Sequence, residues 1–347
     1  MLMVVFGAGA SYDSSSSFPL IRYPDNPLND FGRPPLANQL FEERPSFAAI
    51  RAQFPKCLEV VPYFQTISRT VNVERELGRL QADAKDDPEV PKQLAAIRYY
   101  LETMLARCEE RWKSRIQGVT NYRTLLNQIR NWKLKKPDDE ICLVTFNYDT
   151  LLEDALSSLG LNLSGLTDYV STVYKVVKLH GSINWAHPVF GSVSNIGPRL
   201  RTNFAAANDL IERISELAIG PSYEMVNEHP VASGARALFP AIAIPVETKT
   251  SYECPKEHID TMEKFLPNVT KLLIIGWRGT EDRFLNSLAK NVDANTEMMI
   301  VSSSVDGANH VAAQIRESGV MARHVLCSNH GFTNFVTARE ADQFLRS

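Results

Sequence analysis

Beyond Pro137, short apolar runs alternate with amphipathic stretches, and this alternation constrains the fold more than any other feature of the chain. Apolar runs read as strands at Ile141 to Phe146, Val173 to Leu179, near Ala237 to Val246, Lys271 to Ile275, Met298 to Ser302 and Ala322 to Leu326. Between them, Thr150 to Leu159, Asp209 to Ala218, Glu257 to Phe265, Glu281 to Lys290 and Gly307 to Ser318 carry the spacing of helices. A short, continuously apolar run suits a strand buried on both faces, and a helix of similar reach returns the chain to start a parallel neighbour. Leu2 to Phe6 adds a further apolar run at the start. The expectation is an α/β fold: a Rossmann-like, mostly parallel sheet with helices on both faces.

The stretch before Pro137 differs in character. Ser14 to Ser17 and the prolines Pro19, Pro24, Pro27, Pro34 and Pro35 resist regular structure and read as a loop covering a ligand. From Leu36 to Lys136 the pattern turns helical, with Leu77 and Leu80, then Leu94, Ile97, Leu101, Met104 and Leu105, then Leu125, Leu126 and Ile129 at spacings near three and four. Residues 1–35 and 137–347 are thus expected to form the sheet domain, and 36–136 a large helical insertion. Between Arg98 and Lys136 ten basic residues stand against three acidic ones, a local balance of +7. The whole chain carries a net charge of -3, so this excess reads first as a solvated face, second as a docking surface; direct nucleic-acid binding is not expected.

The 347 residues, 44% hydrophobic and 22% charged, are those of an ordinary globular protein with room for two or three domains. No apolar run approaches the roughly 20 residues of a membrane-spanning helix. The opening apolar run is too short and too uncharged at its front for a signal peptide, so a soluble, cytoplasmic protein is expected. Cys57, Cys108, Cys142, Cys254 and Cys327 are odd in number, far apart and form no C-x-x-C pair. That argues against a disulfide framework, a zinc module or any other metal site. His187, His229, His258, His310, His324 and His330 lack metal-ligand spacing and read as structural or surface residues.

Three short motifs carry the chemistry. Gly7, Ala8, Gly9, Ala10 and Ser11 follow the first strand, and small residues there let backbone N–H groups reach a phosphate; a tight turn of any α/β fold is the plainer reading. Thr145 to Asp149 ends the next strand, so Asn147 and Asp149 are expected in the crevice where such sheets bind ligands, or as caps of the helix that follows. Lys178, Leu179, His180 and Gly181 place an imidazole where a strand gives way to a loop. His180 falls 180 - 147 = 33 residues after Asn147, one strand-and-helix unit further on. A lone histidine is more often structural, but adjacent parallel strands would bring it beside Asn147.

In this order the G-A-G-x-S turn, the T-x-N-x-D motif, the K-L-H-G histidine and a later strand ending in glycine resemble the sirtuin superfamily, over roughly residues 1–20 and 140–330. The resemblance implies an NAD site. Gly7 to Ser11 would face the pyrophosphate, Asn147 and Asp149 would lie near the nicotinamide and its ribose, and His180 would act as the base. Gly276 matches the strand-ending glycine, with Arg278, Thr280 and Asp282 after it as phosphate contacts, and Ser302 and Ser303 match an adenosine-ribose contact. Two departures weigh as much. Deacylating sirtuins carry a zinc module on paired C-x-x-C motifs, absent here, and this chain has the long helical insertion. Both look like the sirtuin-like NADases of prokaryotic antiphage defence systems. That resemblance implies an NAD glycohydrolase with catalytic Asn147 and His180, NAD as substrate and no metal. It also implies control by homo-oligomerisation or by a separate regulator such as an ATPase or Argonaute-like protein. A non-catalytic NAD or ADP-ribose sensor is the alternative, and an NAD-dependent deacylase a weaker one.

Overall fold

The computed structural model describes residues 1–18, 20, 32–67, 77–80, 82, 87–190, 203–226, 238–244 and 252–347. Pro19, Pro24 and Pro27 of the expected ligand-covering loop lie outside them, as do His229 and both ends of the strand expected near Ala237 to Val246. Among the described residues the strands, in chain order, are β1 (Leu2–Phe6), β2 (Ile141–Thr145), β3 (Tyr174–Lys178), β4 (Gly181–Phe190), β5 (Ala218–Ile219), β6 (Glu224–Met225), β7 (Leu238–Ile242), β8 (Lys271–Ile275), β9 (Glu297–Val301) and β10 (His324–Ser328). The chain divides into two compact units, Met1–Asn26 with Trp112–Leu179 and Cys254–Ser347, and Pro27–Arg111 with His180–Glu253.

The first unit is built on a six-stranded sheet in the order β10-β9-β8-β1-β2-β3, every neighbouring pair parallel. Leu2 to Phe6 pair with Ile141 to Thr145 on one side and with Lys271 to Ile275 on the other. No residue of β1, β2 or β8 is exposed, which is why each reads as an unbroken apolar run rather than an alternating one. Chain order runs outward in both directions from the middle: β1, β2 and β3 one way, β8, β9 and β10 the other. A doubly wound sheet of this kind opens a crevice at the carboxyl ends of the strands where the order reverses, between β1 and β8. At the far edge β10 is less covered, with His324 to Cys327 exposed.

The second unit holds an antiparallel sheet in which β4 pairs with β5, β6 and β7. Its aromatic core includes Phe41, Phe54, Phe64, Tyr99 and Tyr100, and the two tyrosine hydroxyls donate to Leu238 O (2.7 Å) and Leu40 O (2.8 Å). Glu253 accepts from Arg98 Nη1 (3.0 Å) and lies 2.7 Å from His187 Nε2. Burial would raise its carboxyl, but the His187 hydrogen bond and the Arg98 charge outweigh this and hold it at about 2.

One reading of the sequence changes. The chain does not enter a loop after His180; it goes straight into β4, whose ten residues hide their alternation behind Pro188 and a register shift between Gly181 and Ala186. The helix Asn121–Lys133 belongs to the first unit, where it packs on the helices Leu151–Ser157 and Glu340–Arg346, and residues 180–253 join the second. Smaller shifts occur at β10, two residues later than its apolar run, and at the helix Asn203–Glu212, six residues earlier than expected.

Candidate functional site

At the carboxyl end of β1 the chain turns at Gly7 into the short helix Ala8–Tyr12. Here it meets the end of β8 backbone to backbone. Gly7 N donates to Ile275 O and Gly9 N to Gly276 O, both at 3.0 Å. A Cβ on Gly7 would lie 2.5 Å from Trp277 Cα, and one on Gly276 would lie 2.4 Å from Ala10 N. Gly276 also has φ +62°, a conformation that L side chains rarely adopt. The glycines are therefore required by a close approach at the point where the strand order reverses. Two N–H groups expected to face a phosphate, those of Gly7 and Gly9, are directed instead at β8.

Asn147 ties the second motif to the first. Its Nδ2 donates to Gly7 O (2.9 Å) and Ser11 Oγ (2.9 Å), with the Tyr122 hydroxyl at 3.1 Å. Gly7 O can only accept, so the amide nitrogen must face it and Oδ1 turns away from these three atoms. The backbone N–H of Asn147 donates to Thr145 Oγ1 at 3.0 Å, closing the turn that ends β2. Tyr122, from the helix Asn121–Lys133, was not singled out in the sequence. At position 122 it continues the apolar spacing of Leu125, Leu126 and Ile129, so it reads as core, and its ring is indeed packed on Phe6 (5.1 Å) and Phe332 (5.6 Å). Burial pushes its phenol well above the ordinary tyrosine range, so it stays protonated.

Asp149 Oδ1 accepts from Leu151 N (3.2 Å), the first residue of the helix Leu151–Ser157, whose N-cap is the intervening Thr150. The turn is also gripped from β3. Lys178, with no exposed surface, donates from Nζ to Asp149 O and to Glu153 Oε1 (2.8 Å). Its backbone N–H donates to His258 Nδ1 at 3.2 Å, and burial with the Lys178 charge lowers the His258 imidazole to about 3. His258 is thus a neutral structural residue, in line with its reading from the sequence.

The remaining candidates are spread more widely. Phe146 stacks on Trp277 at 5.5 Å and 8°, and Phe284 meets both edge-on. Arg278 and Asp282 are exposed and stand outside the hydrogen-bonded cluster of Gly7, Ser11, Tyr122 and Asn147. Ser302 bridges strand ends, donating from N to Ser328 O (2.9 Å) and accepting at O from Gly331 N (2.8 Å). His180 is the first residue of the second unit, 5% exposed, and its carbonyl accepts from Ala243 N (2.9 Å). Among the described residues no three of His, Cys, Asp and Glu are grouped to hold a metal ion, and no helix is long and apolar enough to cross a membrane.

No family model matches the chain, and no curated protein matches it. Solved structures similar to it include a Sir2 homologue in complex with NAD, at 12% identity and a TM-score of 0.43, covering 99% of this chain and 88% of that one. A mutant Sir2 homologue in complex with ADP-ribose gives 13% identity and 0.43, covering 99% and 91%. A structure describing the mechanism and regulation of Sir2 enzymes gives 10% and 0.40, covering 100% and 93%.

Proposed function

We propose that this chain binds NAD and hydrolyses its nicotinamide N-glycosidic bond, releasing nicotinamide and ADP-ribose. The observation that carries the reading is the position of the glycine turn: it sits where the strand order of a doubly wound parallel sheet reverses, with Asn147 hydrogen-bonded to it. Such a crevice, walled by small residues and fixed polar groups, suits a dinucleotide.

Nicotinamide leaves readily because its ring nitrogen is cationic, so the protein has chiefly to position. Asn147 Oδ1 accepts from a ribose hydroxyl or from the attacking water, since its nitrogen is engaged elsewhere. His180 takes the proton of that water as oxygen bonds to the anomeric carbon and the bond to nicotinamide breaks. Asp149, with Gly7 to Ser11, Gly276, Arg278, Asp282 and Ser302, supplies the binding surface for the rest of the dinucleotide. Water is the acceptor because the cysteine pairs of a deacylase zinc module are missing. We place this activity in the cytoplasm, in antiphage defence, held off by homo-oligomerisation or by a separate sensor protein.

The test is nicotinamide release from NAD by the purified chain, alone and with any chain that co-purifies from its host. Asn147→Ala and His180→Ala should each lower turnover by about 100-fold, the scale of a positioned acid or base. Unchanged turnover in both variants would sink the reading. Binding of NAD by calorimetry with no nicotinamide released would point to a sensor, and NAD-dependent release of an acyl group from an acyl-lysine peptide to a deacylase.

A further inference from the structure

We propose that Tyr122 is a positioning residue: it fixes the direction of a buried hydroxyl pair so that the Ser11 proton is left for an oxygen acceptor of the bound nucleotide, a phosphate or ribose oxygen. The inference rests on the NAD reading above and extends it to a residue outside the three motifs.

Tyr122 is 1% exposed, and its hydroxyl has two hydrogen-bond partners among the described residues, Ser11 Oγ at 2.9 Å and Asn147 Nδ2 at 3.1 Å. An amide nitrogen only donates, so Ser11 Oγ is the one acceptor the Tyr122 proton reaches. Both hydroxyls are buried, with Ser11 2% and Tyr122 1% exposed, and the pair offers one internal acceptor for two protons, so one O–H is left over in either direction. The Tyr122 ring is enclosed by Phe6 and Phe332 while Ser11 belongs to the turn at the crevice, and the direction we assign is Tyr122 donating to Ser11. Ser11 Oγ then accepts twice, from Tyr122 and from Asn147 Nδ2 at 2.9 Å. Both lone pairs are engaged, and its own proton meets no acceptor among the described residues. A hydroxyl held in this polarity beside the glycine turn recognises oxygen acceptors and disfavours donors.

The rest of the surroundings keep Tyr122 in place. Phe6 and Phe332 hold its ring, and the next-door Asn121 donates from Nδ2 to Asp13 O (2.6 Å) and Thr333 Oγ1 (2.7 Å). Asn121 N donates to Ser14 O at 2.7 Å, and Trp112 Nε1 to Ser14 Oγ at 2.8 Å. The start of the helix Asn121–Lys133 thus clamps the residues that follow the glycine turn, and Tyr122 reaches through that clamp to Ser11.

The experiment is calorimetric titration of ADP-ribose into the full chain and its Tyr122→Phe, Ser11→Ala and doubly substituted variants. Tyr122→Phe and Ser11→Ala are each expected to weaken binding about fivefold, the scale of one hydrogen bond. The double variant should bind no more weakly than Ser11→Ala, because Tyr122 acts only through Ser11. Unchanged affinity in either single variant, or losses that multiply in the double, would overturn the proposal. Phe332→Leu disturbs the packing of the Tyr122 ring but not its hydroxyl; it should lower the melting temperature and leave the affinity as it is. A loss of affinity in Phe332→Leu equal to that in Tyr122→Phe would reduce Tyr122 to a packing residue. Failure of the unaltered chain to bind ADP-ribose removes the NAD reading and this proposal together, whereas binding with the wrong pattern among variants removes the proposal alone.

Discussion

At the scale of single residues, the buried polar groups near the two motifs do different work. Asn147 and Ser11 are linked to each other, while Lys178, Glu153 and His258 brace the turn from behind. His258 offers a direct measurement. Its imidazole is lowered to about 3 in the folded chain, against about 6.5 when unfolded. Below pH 6.5 the unfolded state takes up the proton and the folded state does not, so stability is lost as pH falls from about 6.5 towards 3, by up to about 1.4 kcal/mol per pH unit. Urea denaturation between pH 7.5 and 4 should show this slope. In His258→Asn, which keeps an acceptor for Lys178 N–H but does not titrate, the slope should flatten; an unchanged slope would assign it to other groups.

At the scale of elements, the decisive contact is between the turn after β1 and the end of β8. Two glycines with a positive φ separate geometry from crowding. Gly160 has φ +82° with nothing within 4 Å of an added Cβ, whereas Gly276 has φ +62° and backbone at 2.4 Å. Gly160→Ala should cost about 1 kcal/mol, the strain of the left-handed conformation. Gly276→Ala adds a backbone clash and should cost roughly 3 kcal/mol or more, read as the shift in denaturation midpoint. Equal costs would mean that the β1 turn yields easily. The same scale shows what could be read in advance and what could not. The strands β1, β2, β3 and β8 lie within a residue of their apolar runs because burial on both faces keeps polar residues, Lys175 apart, to the strand ends. The ten-residue β4 was not legible, since its pairing with β7 shifts register and its partners are distant in sequence.

At the scale of the whole molecule, two cores coexist in one chain, one under a parallel sheet and one around an antiparallel sheet with aromatic helices. No two of the five cysteines are joined by a disulfide, and burial raises the thiols of Cys57, Cys108 and Cys142 above their ordinary range. Incubation with a strong chelator is therefore expected to leave the melting temperature and any NAD cleavage unchanged. A fall in either would reveal a bound metal and reopen the deacylase reading. Of the basic residues between Arg98 and Lys136, Arg98, Arg107 and Arg111 fall in the second unit and the rest in the first.

By itself the sequence determined the parallel strands, the glycine turn and the strand-end placement of Asn147, because hydrophobic period and turn chemistry are local and survive without knowledge of neighbours. Only the tertiary structure decided that Gly7 and Gly9 direct their N–H groups at β8, that Asn147 turns its nitrogen inward, and that Tyr122 completes the cluster. Those outcomes depend on hydrogen bonds between residues distant in sequence, such as Asn147 with Gly7, 140 positions apart, and Gly7 with Ile275, 275 - 7 = 268 apart. Spacing along the chain specifies which atoms are available; which of them meet is set by the packing of helix on sheet.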